Sequence, residues 1–243
     1  MFIIQQLFVS PILISAAVIP AILLLIYVYK KDKLEKEPKK LLVRLVLWGI
    51  LSTLLATMTE ELGIALLPRY FDEGSRAYYL ALYFIVVALS EEGFKFFVLK
   101  WKSWNDPAFN CQFDGVVYAV FVSLGFALWE NIGYVLAYGL GTALARAVTA
   151  VPGHACFGVF MGAFYGAAKR VELAGDPGMS KILRFLSLLV AVLLHGAYDY
   201  LASQIETASD WFFVLFIIVI FIISYRMVKK LSENDRYIRP NVQ

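Results

Sequence analysis

Seven apolar runs, separated by short segments that hold most of the charge, leave this chain few folds to adopt. They cover about 9–29, 41–67, 78–99, 114–138, 146–168, 183–203 and 211–228. Each is near the ~20 residues a helix needs to cross ~30 Å of hydrocarbon. Lipid offers no partner for backbone N–H and C=O groups, so a segment that spans it closes its own hydrogen bonds as a helix. The sequence predicts an all-α, polytopic membrane helical bundle of about seven transmembrane helices, one unit over 1–243. The composition agrees, with 60% hydrophobic and 17% charged residues, where a soluble domain carries about 25% charged. The net charge of +3 sits in clustered loop residues. It implies a lipid bilayer as partner and no nucleic acid.

Lysine and arginine set the expected orientation. One set of loops holds 30–44, Lys100, Lys102 and 169–184, with the C-terminal tail; the other holds only Arg69, Arg76 and Arg146. This bias predicts an N-terminus outside and a C-terminus in the cytoplasm, with 229–243 as a polar cytoplasmic tail. The basic stretch 30–40 reads as a solvated loop. Met1–Gln6 shows neither a basic n-region nor a cleavage site, so the first run reads as a retained helix bent at Pro11 and Pro20. Cys111 and Cys156 read as free thiols, since neither CxxC spacing nor a disulfide framework is present.

Against this apolar background a few polar residues stand out. The third run contains Ser90-Glu91-Glu92-Gly93-Phe94-Lys95. An ionised group at a membrane helix centre costs roughly 2.5–3.5 kcal/mol, so such groups face a protein interior or a wet cavity. Lys95 lies four residues after Glu91 and three after Glu92, within reach of both on one helix face. The fourth run adds Glu130 and Asn131, the fifth His154, and the sixth His195 with Asp199 four residues later. Both histidines of the chain therefore fall in apolar runs. Taken singly, each has a structural reading. A buried histidine can donate to a carbonyl, His195 and Asp199 can lock two helices, and Glu130-Asn131 can bond helices together at about 0.6 kcal/mol per bond. Four runs supplying polar groups at interior depths favour one shared site. Glu60 and Glu61, near the end of the second run, read as reaching the headgroups. The spacing of His154, Gly158, Gly162 and Gly166 reads as a small-residue packing ridge.

Paired carboxylates with an imidazole suit general-base activation of water and stabilisation of an oxyanion. Neither GxSxG nor HExxH is present, which disfavours serine and zincin mechanisms. A metal held by Glu91, Glu92, Glu130, His154 and His195 stays open. Two rival readings are a proton-coupled transporter using the Glu, His and Asp residues as a relay and a haem protein with His154 and His195 as axial ligands. The first lacks an internal repeat with paired broken helices. The second leaves Glu-Glu-x-x-Lys unexplained.

Four motifs in order carry a family resemblance. They are Glu91-Glu92-x-x-Lys95; Asp114-Gly115 leading to Gly125-Phe126-Ala127-x-x-Glu130-Asn131-x-x-Tyr134; Arg146 with His154; and His195-Gly196-x-x-Asp199. Together, over a motif-bearing core of about 78–203, they resemble the PrsW family of intramembrane proteases. That family is similar in core motifs to the CAAX prenyl endopeptidases and their bacterial relatives. The resemblance implies a multi-pass cell-membrane endopeptidase that cuts a single-pass membrane protein, such as an anti-sigma factor, near the outer face. It implies that Glu91 or Glu92 activates the hydrolytic water, with Glu91 preferred as the first carboxylate of the motif. His195 would position water or stabilise the oxyanion, with Asp199 replacing the relatives' usual Asn. His154 would lie in the cleft, and Glu130 stands where the prenyl endopeptidases have His. Lys95, Asn131 and Asp199 would support. Such a mechanism needs no cofactor, and a zinc-dependent variant stays open.

Overall fold

In a computed structural model, residues 11–204 and 210–238 are described. The reading of Met1–Gln6, the start of the first run and the end of the tail lie outside them. The helices are α1 (Pro11–Lys31), α2 (Lys39–Leu66), α3 (Arg76–Leu80), α4 (Leu89–Ser103), α5 (Asp114–Tyr138), α6 (Leu140–Val148), α7 (Ala150–Leu173), α8 (Pro177–Ala202) and α9 (Asp210–Glu233). A π-helical segment, Ala81–Ala88, joins α3 to α4.

Among the described residues six helical stretches are long and apolar enough to cross a membrane, where about seven were expected. The stretch bearing Glu91 is not one of the six. It runs as α3, π-helix and α4 end to end, so no single α-helix of membrane length forms there. The fifth run also departs from expectation. It breaks at Thr149 into α6 and α7, and Arg146 lies on the short helix α6. The loop expected at 169–181 shrinks to three residues, 174–176, because α7 continues to Leu173 and α8 opens at Pro177. Asp176 caps α8 by accepting from the Met179 N–H at 2.9 Å, with Pro177 in the first turn, where its missing N–H costs nothing. The polar tail is not free either. Helix α9 continues to Glu233, and the residues after it dock on the loop before α5, with Asp235 accepting from the Phe113 N–H at 3.0 Å and the Ile238 N–H donating to the Asn110 carbonyl at 2.6 Å.

Helix α5 is the axis of the bundle, buried along most of its length and packed chiefly on α7 and α2. Small residues permit those contacts. A Cβ added at Gly162 of α7 would stand 2.5 Å from the Gly115 carbonyl oxygen, so backbone meets backbone at this crossing. The ridge read in the sequence is thus packing, as expected. Outward-facing residues such as Leu47, Leu51, Leu54 and Met58 of α2 stay exposed and apolar, as a lipid-facing surface requires.

Candidate active site

Glu91 and Glu92 occupy the first turn of α4, directly after the π-helical segment. Short π segments inside α-helices occur frequently at functional sites, and they change which face the following turns present. Lys95, one turn on, is fully buried and donates to Glu91 Oε2 at 3.0 Å and Glu92 Oε1 at 2.7 Å. The ring of Phe126 lies under its ammonium, 4.0 Å away. The i,i+3 and i,i+4 spacing read in the sequence is therefore realised in both pairs.

Tertiary packing adds the histidines. His154 of α7 places Nδ1 3.1 Å from Lys95 Nζ and Nε2 2.8 Å from Glu130 Oε2 of α5. An ammonium has only donors, so Nδ1 accepts and Nε2–H donates to Glu130. His195 of α8 places Nδ1 2.9 Å from Glu92 Oε1 and Nε2 3.3 Å from Asp199 Oδ2. The Asp199 contact lies within ion-pair distance but off hydrogen-bond alignment. The two imidazoles meet edge to face, 5.2 Å apart. With all four ring nitrogens turned to Lys95, Glu130, Glu92 and Asp199, a haem finds no ligand in this pair.

Helix α6 contributes Arg146, whose Nη2 stands at ion-pair distance, 3.1 Å, from Glu130 Oε2 but off hydrogen-bond alignment, with its guanidinium 3.9 Å over the Tyr134 ring. Asn131 points away from the cluster. It bonds the Ala17 carbonyl of α1 at 2.8 Å and accepts from Arg146 Nε at 3.0 Å, so its part is the interhelical one.

These groups surround a cavity of about 430 Å³ between α2, the π segment, α4, α5, α6, α7 and α8. Glu91, Glu130, His154, His195 and Asp199 line it. Glu92 does not; it is fully buried behind them, and its Oε2 has no hydrogen-bond partner among the described residues. Two charged lining residues, Arg146 and Glu60, fall outside the site expected from the sequence. Arg146 was counted chiefly as a loop cation. Glu60, read as reaching the headgroups, instead faces the cavity, while Glu61 is exposed. The end of the apolar run marks depth along α2, but the neighbouring helices decide whether a position meets lipid or cavity. The spacing Thr53, Thr57, Glu60, Ile64 would have signalled one shared face.

Donor atoms of Glu91, Glu92, His154 and His195 lie within 4.8 Å of one another, a set with the right chemistry for zinc. Lys95 already bonds three of these residues. A zinc ion at ~2.1 Å from any of the bonded atoms would stand within about 5 Å of the ammonium, and like charges in a dry interior repel strongly. With Lys95 in place, Glu91, Glu92 and His154 are already taken by a cation, which disfavours a dication on those three.

Carboxylates and imidazoles around a cavity, backed by a locked ammonium in a bundle of membrane-length helices, suit hydrolysis within a membrane. The comparisons give the family. Residues 37–225 match the model described as "PrsW family intramembrane metalloprotease". The chain is similar to "Protease PrsW" of Geobacillus kaustophilus, 36% identical over 228 residues and 94% of each chain. Its identity to "Protease PrsW" of Bacillus subtilis is 32% over 210 residues, covering 86% of this chain and 90% of the relative. No solved structure matches it. The chain belongs to the PrsW family: it is a multi-pass membrane protease, and the transporter reading falls away.

Proposed function

We propose that Glu91 is the general base of a glutamate-dependent peptide-bond hydrolysis. One observation carries this reading: of the paired carboxylates, Glu91 fronts the cavity and Glu92 is sealed behind it. Lys95 holds Glu91 Oε2 and aims the carboxylate at the cavity, where it takes a proton from water as the water attacks the scissile carbonyl. His195, oriented through Nδ1 by Glu92, presents Nε2 to the cavity beside Asp199, where it positions the water or faces the developing oxyanion. His154 and Arg146 hold Glu130 at the cavity wall.

The whole chain acts as one protease domain. The N-terminus lies outside and the C-terminus in the cytoplasm, following the bias of lysine and arginine between alternate loops. The substrate is a single-pass membrane protein of the anti-sigma-factor class, cut near the outer face; the family resemblance supports this.

The test compares wild type, E91Q and E92Q in liposomes with a tagged single-pass substrate, each with and without a strong chelator. Chelator-resistant cleavage that E91Q abolishes is expected. Cleavage lost to chelator and restored by zinc would overturn the metal-free reading, and full activity of E91Q would remove Glu91 as base.

A further inference from the structure

Helix α2 presents Thr53, Thr57, Glu60 and Ile64 to the cavity as one stripe, opposite the helices that carry the catalytic cluster. Thr53 is satisfied within its own helix, its hydroxyl donating to the Ile50 carbonyl at 2.8 Å. Glu60 is different. Its Oε1 is buried and has no hydrogen-bond partner among the described residues. The neighbouring cations are committed elsewhere, Lys95 to Glu91, Glu92 and His154, and Arg146 to Glu130 and Asn131. A buried carboxylate oxygen without a donor is costly and calls for one.

Hydrolysis inside a membrane supplies such a donor. A helical substrate shields its carbonyls with its own hydrogen bonds, so the scissile segment has to unwind to be attacked. Unwinding frees backbone N–H groups where lipid cannot satisfy them. We propose that Glu60 binds the substrate, its carboxyl group at the cavity wall turning to accept a hydrogen bond from a backbone N–H of the unwound segment. The proposal rests on the protease reading above. Glu60 is not a second base, since nothing orients it as Lys95 orients Glu91.

The probes are two synthetic single-span peptides in liposomes, one an uninterrupted helix and one with a Gly-Pro pair breaking the helix. Binding is measured with E91Q, which retains its ligand, against E91Q/E60A and E91Q/E60Q. The broken peptide is expected to bind several-fold more weakly to E91Q/E60A, since a buried hydrogen bond is lost. E91Q/E60Q, which keeps an acceptor oxygen, recovers most of that loss, and the uninterrupted peptide shows no difference. Equal binding of the broken peptide to E91Q and E91Q/E60A, an equal loss for both peptides, or no binding of the broken peptide at all would overturn the proposal. In cleavage of the broken peptide, E60A raises KM with kcat nearly unchanged; an E60Q variant as inactive as E91Q would make Glu60 part of the chemistry and overturn its role in binding. Loss of the protease reading is seen separately, as E91Q retaining full cleavage.

Discussion

Lys95 Nζ and His154 Nδ1 stand 3.1 Å apart, joining residues 59 positions apart in the chain at the centre of the bundle. The same ammonium bonds both glutamates of its own helix, so one fully buried cation holds α4 and α7 together and fixes both carboxylates.

Removing that cation leaves two buried carboxylates without the ammonium that pairs them, Glu92 keeping only His195. Lys95→Met is expected to destabilise the protein by about 3–5 kcal/mol, as breaking a buried ion pair from one side does. Lys95→Met/Glu92→Gln recovers part of that loss, because one stranded charge goes with it. Thermal unfolding of the four proteins of this cycle checks the coupling, and strictly additive losses would refute it.

The two glutamates should fail in different ways. E91Q is expected to lose cleavage by at least ~100-fold, in the range of a missing general base, while its melting temperature stays close to wild type. E92Q loses stability as well, since Glu92 Oε1 bonds both Lys95 and His195 in a site without water access. Melting temperatures measured beside activities separate them; a fold as stable in E92Q as in E91Q would count against the division.

Stability should also depend on pH through the loop between α1 and α2. Burial raises Asp32 from 3.8 to about 6, with the charges of Asp235 and Glu35 adding to the rise. Burial likewise raises Glu37 from 4.5 to about 7, with Asp32 and Glu35 adding to it. Both carboxyls bind their proton more tightly folded than unfolded. Their contribution is therefore complete below about pH 4 and is lost as pH rises through 6 to 7. Glu37 also accepts from the Tyr118 hydroxyl, which ties the loop to α5. The melting temperature should fall between pH 5 and pH 8, and Glu37→Gln should flatten that slope. An unchanged slope in Glu37→Gln would contradict the assignment.

Backbone contact between α5 and α7 leaves no room for a side chain. Gly162→Val is expected to disrupt the crossing and sharply lower the yield of folded protein, since its Cβ would meet Gly115 and Val116 backbone atoms at 2.5 Å. Gly93→Ala, with nothing within 4 Å of the added Cβ, is the matching control and should fold normally. Size-exclusion profiles in detergent decide between these outcomes.

Sequence alone determined the class and named most of the polar groups that meet in the bundle. Long apolar runs have one way to satisfy their backbone in lipid, so an all-helical membrane protein was legible from the runs themselves. The Glu91–Lys95 and Glu92–Lys95 pairs were legible for a local reason: three and four residues along a helix bring side chains together whatever else the chain does. His154, His195, Glu130 and Asp199 were legible as candidates, because polar groups in apolar runs need partners. Only the tertiary structure decided who those partners are. Which carboxylate fronts the cavity depends on the rotation of α4 after a π-helical segment whose register no apolar pattern records. Glu60 and Arg146 joined the cavity, and Asn131 turned to α1, through packing between helices distant in sequence. Local spacing reports what shares a helix face; whether that face meets lipid, protein or water is decided by the neighbours packed against it.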